Sequence, residues 1–363
     1  PKAEEGRSVF RWGVVGLGLG RGHAERILRH GDGWALAAVC DALPERTGAF
    51  GAAHPDVRVS TDYARFLEDA VLDGVILAVP HDLHMPLAIQ ALDSGRHVLV
   101  EKPMARTVAE CAAMNAAARR AGKVLMVAQN WRYTPWVRLV KRLIATGELG
   151  RLRAARSEWL QRVLGDSRPG NWLADGARAG GGPVMSLAVH NIDCMRYLLG
   201  EPARVTAVCH WDHPAFRNGA EIWAMAQVEF EQGAMGQVFT SYAAYAPVDG
   251  GPLWLYGDEG TLYKADLASA DVRVSTSGRP DGYATLEDRD HGGLPSADAY
   301  LNELHHFVDC CRTGSPPLSG GEDNVRTIRF VEAIYESARR GMPVTLERVD
   351  ESREPGSARE TRA

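Results

Sequence analysis

The sequence lacks the features that mark membrane, secreted and nucleic-acid-binding proteins. Its apolar stretches, such as GVILAVP at residues 74–80, are far too short to span a bilayer. The first residues, PKAEEGRS, contain no apolar segment of the kind that a signal peptide needs. The chain has no basic run, and its formal net charge of −5 argues against a nucleic-acid partner. We therefore expect a cytoplasmic protein without membrane or nucleic-acid contacts.

Patterns typical of disulfide frameworks, metal sites and nucleophilic catalysis are also missing. The six cysteines are scattered without a Cys-x-x-Cys spacing, which in a chain of 363 residues favours reduced thiols. The adjacent histidines at 305–306 would diverge on a helix, and HWDH at 210–213 is typical of a solvated turn, so no metal is expected. A Gly-x-Ser-x-Gly nucleophile motif does not occur.

The first third of the chain alternates short apolar runs with amphipathic segments. The runs predict strands at residues 10–16, 34–41, 73–80, 96–103 and 123–130. Helix-like segments separate these strands, and one of them carries proline in its first turn and glycine at its end. Continuous apolar strands that alternate with helices are typical of a parallel sheet covered on both faces.

The pattern changes after about residue 130. Later segments alternate in polarity and are joined by short turns, which predicts an α+β half with a large, mostly antiparallel sheet. Because 363 residues exceed the usual size of a single core, we predict two domains. These are residues 8–128 and 129–349, followed by a charged, disordered tail at residues 350–363.

Closely spaced glycines stand between the first predicted strand and the helix that follows it. Gly16 and Gly18 are followed by Gly20, while Arg21 occupies the place of the third glycine in a regular dinucleotide fingerprint. Glycine lets the backbone approach a pyrophosphate closely, and a helix N-terminus offers unpaired N–H groups. The context favours a dinucleotide cradle made by Gly16, Gly18, Leu19 and Gly20, with a ligand-free glycine turn as the alternative.

Asp41 ends the second predicted strand, about 20 residues after the glycines, where an acid accepts hydrogen bonds from both adenosine ribose hydroxyls. This favours NAD over NADP, because a 2′-phosphate would meet a carboxylate. Arg46 lies a little further on and leaves NADP as the less favoured cofactor. Asp41 also has an alternative role as a cap of the next helix, and the two roles can coexist.

Six motifs in order along the chain resemble those of the Gfo/Idh/MocA oxidoreductases. They are the glycine loop, AVPHDLH at 78–84, GRHVLVEKPMA at 95–105, QNWRYTP at 129–135, GGGPVMSLAVHNID at 180–193 and EAIYESARRGMPVTL at 332–346. The resemblance covers nearly the whole chain. It implies an N-terminal Rossmann domain that binds NAD and an α+β domain with a mostly antiparallel open sheet. In that family the outer face of this sheet commonly forms homodimers or homotetramers.

The resemblance implies two catalytic residues. Lys102 of the Glu-Lys-Pro motif would contact the hydroxyl being oxidised and move its proton while hydride passes to nicotinamide. The resemblance also implies a cis peptide bond between Lys102 and Pro103. A lysine suits this work because burial can lower its pKa towards neutrality. His190 would stand beside the same hydroxyl. Asp193, three residues later on the same helical face, is expected to orient the His190 ring.

Four positions near the cofactor are also implied by the resemblance. Pro80 and His81 lie at the carboxyl end of a strand, where ligands bind in open parallel sheets, although the family often has asparagine in place of His81. His84 matches a family histidine, and its alternative role is packing in the first turn of the next helix. Glu101 precedes the lysine and is expected to belong to the cofactor site.

Four further residues are expected to face the substrate. Asn130 and Arg132 follow the last strand of the first domain, and an arginine there could hold a hydroxyl pair or a carboxylate. Trp172, like Trp131 and Tyr133, either stacks on a sugar or fills the core. Ser186 stands where many family members carry an aspartate. It can donate and accept hydrogen bonds, but it cannot act as a carboxylate base.

The predicted function is the reversible NAD(P)-dependent oxidation of a secondary hydroxyl of a sugar, polyol or inositol to a ketone. Either Lys102 and His190 act alone with Ser186 positioning the substrate, or the substrate and reaction differ from those of the family's inositol and glucose enzymes. Two alternatives from other classes stay open. One is an NAD-dependent glycosidase or lyase that oxidises a sugar transiently, and the other is a non-catalytic sensor that binds NAD.

Overall fold

The apolar runs of the first third form a six-stranded parallel sheet. In the computed structural model its strands are β1 (Phe10–Val15), β2 (Trp34–Cys40), β3 (Arg58–Ser60), β4 (Gly74–Leu77), β5 (His97–Val100) and β6 (Leu125–Val127). Their order is β3-β2-β1-β4-β5-β6, and every pair is parallel. The strand order reverses between β1 and β4, which is where an open parallel sheet leaves a crevice for a ligand. Only β3, a short and mostly exposed strand, was not predicted.

The structure describes residues 9–31, 33–68, 71–162, 171–248, 252–265, 271–286 and 293–347. The tail predicted at residues 350–363 lies outside these ranges. Among the described residues, no helix combines the length and the apolar character needed to cross a membrane.

Helices cover both faces of the first sheet, as continuous apolar strands require. They are α1 (Gly20–His30), α2 (Pro44–Ala53), α3 (Tyr63–Leu67), α4 (His84–Asp93) and α5 (Val108–Ala121). A helix from the end of the chain, α10 (Ala299–Thr313), packs on the same sheet. Phe307 of α10 stacks on Trp12 of β1 with 5.1 Å between ring centroids. The C-terminal part of the chain therefore completes the layer over the N-terminal sheet.

The second sheet has ten strands. They are β7 (Leu152–Arg162), β8 (Pro202–His210), β9 (Trp223–Phe230), β10 (Met235–Ser241), β11 (Ala243–Val248), β12 (Leu253–Gly257), β13 (Gly260–Lys264), β14 (Val272–Thr276), β15 (Arg279–Leu286) and β16 (Val344–Thr345). Nine of them follow the order β15-β14-β13-β12-β7-β10-β9-β8-β16, and β11 pairs with β7. The described pairings are antiparallel except that of β7 with β10. This confirms the predicted fold class.

The other helices of the second half are α6 (Pro135–Ala145), α7 (Gly176–Ala179), α8 (Pro183–Ser186), α9 (Val189–Leu199) and α11 (Gly321–Arg340). Of these, α8, α9 and α11 pack on one face of this sheet, and α6 packs on α9. Strand β9, and β8 from Arg204 onward, alternate between buried and more exposed residues, so their other face lies open. The buried face joins the apolar core under α4 and α5 into one continuous cluster. That cluster holds the two halves together and fixes the cleft between them.

Candidate active site

The glycine loop is shaped by space that only glycine leaves open. Gly16 has φ +87°, and a Cβ on it would lie 2.2 Å from the Ala78 carbonyl oxygen. A Cβ on Gly20, the first residue of α1, would lie 3.0 Å from a methyl of Val14. No side chain caps α1, and Leu19 before it is 74% exposed. The loop therefore presents backbone N–H groups at a helix N-terminus, which fits a dinucleotide pyrophosphate.

Asp41 lies directly after β2 and ties this loop to the next turn. Its carboxylate accepts hydrogen bonds from the backbone N–H groups of Leu17, at 2.6 Å, and Leu43, at 2.9 Å. Arg46 pairs with the same carboxylate at 3.2 Å, and its guanidinium lies 3.7 Å from where a Cβ of Gly18 would be. Asp41 does not cap α2, because Leu43 is the N-cap residue and has no side-chain cap. The acid and a cation thus stand together beside the glycine loop.

Two histidines of the predicted cofactor site follow β4, and they have different partners. His81 is buried, its Nδ1 lies 2.8 Å from the Ala179 carbonyl oxygen, and its ring meets the edge of Trp172 at 4.6 Å. His84 is fully buried, with its ring nitrogens 3.0 Å and 2.8 Å from the carbonyl oxygens of Val79 and Pro103. These contacts favour the packing role for His84: it holds the Lys102 turn against the end of β4.

The Glu-Lys-Pro turn follows β5, and the bond between Lys102 and Pro103 is cis, as predicted. Glu101 is buried and pairs with His23 Nε2 of α1 at 2.9 Å. Burial opposes ionisation of Glu101, but the hydrogen bond and charge of His23 together with Lys102 lower its pKa. Glu101 therefore links the lysine turn to the helix of the glycine loop. His23 carries no motif signal of its own, and sequence reasoning missed it.

Lys102 reaches across the cleft to the second half of the chain. Its Nζ donates to the backbone carbonyl of Ser186 at 2.8 Å. Burial lowers the pKa of Lys102, and the charge of Glu101 opposes this shift. A lysine with a lowered pKa loses its proton at a lower pH than an exposed lysine, so its neutral amine is more readily available to accept a proton.

His190, on α9, lies near this lysine in a cluster of rings. Its ring is parallel to Trp131 within 6°, at a centroid distance of 5.4 Å, and lies 5.6 Å from Trp159. Burial lowers the pKa of His190 far below its ordinary value, and the charge of Lys102 acts in the same direction. The imidazole is therefore neutral. Its Nδ1 is buried and makes no hydrogen bond within the described part of the chain.

Arg132 and Asp193 do not take the predicted positions. The Arg132 guanidinium donates to both carboxylate oxygens of Asp193, at 2.7 and 2.6 Å, and to the Leu318 carbonyl at 2.8 Å. Asp323 of α11 also pairs with it at 2.6 Å. Arg132 is buried in this network and is not available to hold substrate. Asp193 points towards Arg132 rather than towards the His190 ring, which corrects the expectation that it orients the imidazole.

Ser186 contributes to the site through its backbone more than through its hydroxyl. The hydroxyl donates to the Gly182 carbonyl at 2.7 Å and lies 2.6 Å from the Tyr242 hydroxyl. Burial raises the pKa of Tyr242 to about 12, so this phenol stays protonated. The carbonyl of Ser186 is the group that meets Lys102. Tyr242 was not predicted, because only the folding of β10 towards α8 brings it there.

Two amides beside the cleft have buried polar atoms without protein partners. Gln129 is 1% exposed, and neither its Nε2 nor its Oε1 makes a hydrogen bond within the described residues. The Oδ1 of the neighbouring Asn130 is likewise buried and unpaired there. Tyr133, by contrast, belongs to the core and lies 3.0 Å from the Ser319 hydroxyl. Gln129 was missed although it stands in the same motif as Asn130.

Among the described residues, no group of three or more His, Cys, Asp or Glu side chains is arranged to hold a metal ion.

Both halves of the chain match family models. A model described as an oxidoreductase family with an NAD-binding Rossmann fold matches residues 10–129, and one described as a GFO/IDH/MocA C-terminal domain matches residues 137–263. The chain belongs to the GFO/IDH/MocA oxidoreductase family.

Several members of this family are similar to the chain over most of its length. D-Apiose dehydrogenase of Paraburkholderia graminis is 30% identical over 94% of this chain and 91% of its own. The scyllo-inositol 2-dehydrogenase (NAD(+)) of Bacillus subtilis is 28% identical over 93% of this chain and 96% of its own. A solved levoglucosan dehydrogenase, in complex with NADH and levoglucosan, is 26% identical with a TM-score of 0.86, covering 94% of this chain and all of that one. These findings confirm the predicted family, its oxidoreductase class and its NAD cofactor.

Proposed function

We propose that this GFO/IDH/MocA protein reversibly oxidises a secondary hydroxyl of a sugar, polyol or inositol to a ketone, with NAD⁺ as the oxidant. The observation that carries the proposal is Lys102, whose Nζ is held by the Ser186 carbonyl in the cleft beside the neutral His190. The similarity to dehydrogenases named for apiose, scyllo-inositol and levoglucosan supports the substrate class.

The proposed cofactor site follows the crevice at the end of β1 and β4. Gly16, Gly18, Leu19 and Gly20 would hold the pyrophosphate, and Asp41 would hold the adenosine ribose. Pro80 and His81, after β4, would line the nicotinamide side of the crevice. Glu101 and His84 would not contact the cofactor directly but would hold the Lys102 turn in place. NAD⁺ supplies the hydride acceptor when it is bound.

In the proposed reaction Lys102 is the proton acceptor. Its neutral amine takes the hydroxyl proton while the carbon loses hydride, so alcohol and NAD⁺ give ketone, NADH and one proton. The Ser186 carbonyl accepts a hydrogen bond from Nζ and keeps the amine in place. His190 would bind the same oxygen through Nε2, because its Nδ1 is buried, and Asn130 and Trp172 would contact the rest of the substrate. Ser186 thus positions the base and supplies no charge.

The first test is the absorbance of NADH at 340 nm with purified protein, NAD⁺ or NADP⁺, and a panel of inositols, aldoses, sugar acids and glycosides. We expect NADH to accumulate with NAD⁺ and at least one polyol or sugar. A flat trace over the whole panel would contradict the proposal. NAD that copurifies with the protein under those conditions would then favour transient oxidation or a sensor.

We further propose that the chain forms a homodimer or homotetramer in the cytoplasm through the open face of the second sheet. Val208 and Met225 are 62% and 43% exposed on that face, and they line an apolar groove with Trp223 and Phe239. An exposed apolar sheet face of this kind favours a second copy of the same surface. All six cysteines are free thiols, which supports a reducing compartment.

Met225→Glu is expected to shift the protein towards a smaller species in size-exclusion chromatography with light scattering, because a charge would be buried in the contact. Gln90→Glu, at an exposed position of α4 and away from this sheet, is the matched control for added charge. A Met225→Glu protein with the same mass in solution as the parent would count against this interface.

A further inference from the structure

Three rings form a wall in the candidate site. Besides their contacts with His190, Trp131 and Trp159 lie 5.5 Å apart with 20° between their planes. The face of an aromatic ring carries partial negative charge and its edge partial positive charge. Such a face packs well against the C–H groups of a sugar or polyol ring, and it repels an anion.

Trp159 is the part-buried member of this wall. It pairs with Thr240 across β7 and β10, so its side chain lies on the face of the sheet that the helices cover. Its indole N–H is buried and has no hydrogen-bond partner among the described residues, like Nδ1 of His190. Since Trp131 and His190 are themselves nearly fully buried, the part-buried Trp159 is the ring of the wall that can receive the C–H groups of a substrate.

The positive charge beside this wall is already used. Arg132 adjoins Trp131 in the chain, but its guanidinium is committed to Asp193, Asp323 and the Leu318 carbonyl. His190 is neutral, as described above. Lys102 serves the reacting hydroxyl. Arg106, whose charge also acts on His81, is paired with Glu110. A carboxylate or phosphate of a substrate would lose its hydration here without an arginine to replace it.

We propose that the site selects uncharged sugars or polyols that lay a C–H face on the Trp131–Trp159–His190 wall, and that it discriminates against sugar acids and sugar phosphates. This inference rests on the proposed function, because it specifies the substrate of the same site. It adds a charge rule that the fold and the family do not determine.

The test is binding to the NADH-loaded protein, in which alcohol oxidation cannot proceed. The probes are matched pairs that differ only by the carboxylate, D-glucose with D-glucuronate and D-galactose with D-galacturonate, titrated by calorimetry. We expect the neutral member of at least one pair to bind about tenfold or more tightly than its acid. Acids that bind equally or more tightly, or no binding by either neutral sugar, would overturn the proposal.

Variants of Trp159 test the wall itself. Trp159→Leu should weaken binding of the neutral sugar about tenfold, whereas Trp159→Phe, which keeps a ring and the fold, should retain most of it. Trp254→Leu is the control, because Trp254 pairs with Arg156 and so lies on the opposite face of the same sheet. Its mass in solution is compared with that of the parent, because this face also carries the proposed contact between copies. Unchanged affinity in Trp159→Leu would reject the role of the wall.

Turnover separates this inference from the function on which it rests. Tight, selective binding of neutral sugars without NADH formation by the NAD⁺-loaded protein would contradict the dehydrogenase and leave the charge rule standing. NADH formation with sugar acids alone would support the dehydrogenase and overturn the charge rule.

Discussion

Lys102→Met should lower kcat for alcohol oxidation about 1,000-fold, the usual scale for a general base. Methionine keeps an unbranched side chain of similar length but cannot accept the proton. The loss should fall on kcat more than on NADH affinity, because Lys102 contacts the Ser186 carbonyl and not the glycine loop. Initial rates at 340 nm and NADH fluorescence titration measure the two quantities separately.

The pH profile gives this prediction its sharper form. Because burial lowers the pKa of Lys102, kcat/KM of the parent protein should rise with pH through an apparent pKa below the 10.5 of a free lysine. This rise should vanish in Lys102→Met. Lys123→Met is the matched control, since Lys123 lies before β6, at the amino ends of the parallel strands, whereas Lys102 lies at their carboxyl ends. A Lys102→Met enzyme with the parental rate and profile would remove Lys102 from the reaction.

The features that the sequence predicted well are local ones. The glycine loop, Asp41 and the Glu-Lys-Pro turn each directly follow an apolar strand, and parallel strands bring their carboxyl ends to one edge. Once the strands are recognised, these residues need no long-range information to be placed together. The same logic fails for β3, because three residues without a buried face carry no periodic signal.

The roles of Arg132 and Asp193 could not be predicted in this way. They are 61 residues apart, and Asp323, which also pairs with Arg132, lies on α11, the last helix of the described residues. The spacing of His190 and Asp193 places them on the same face of α9, but only tertiary packing decides what each side chain meets. The ring faces meet Trp131 and Trp159, whereas the carboxylate meets Arg132. The spacing in the sequence therefore predicted which helix face Asp193 lies on, but it could not predict which side chain its carboxylate would contact.

Asp41→Asn should raise the KM for NAD⁺ about 10- to 100-fold and improve the use of NADP⁺. Asparagine has one acceptor oxygen, so it can keep the hydrogen bond from the Leu17 N–H while the one from the Leu43 N–H is lost, and the glycine loop should keep its support. The variant also removes the charge that we propose binds two ribose hydroxyls, and hydrogen bonds to charged groups are the stronger kind. The measurement is kcat/KM for both cofactors at a fixed, saturating alcohol concentration.

We expect Arg46 to determine how far the cofactor preference of Asp41→Asn shifts from NAD⁺ towards NADP⁺. In the parent protein its guanidinium is paired with Asp41 at 3.2 Å, and neutralising residue 41 leaves that cation beside the ribose site. Asp41→Asn combined with Arg46→Ala should therefore lose the gain with NADP⁺ while keeping the weakened use of NAD⁺. If the double variant uses NADP⁺ as well as Asp41→Asn does, relief of repulsion alone explains the gain. If Asp41→Asn changes neither cofactor, the carboxylate serves only to hold Leu17 and Leu43, and NAD is chosen elsewhere in the site.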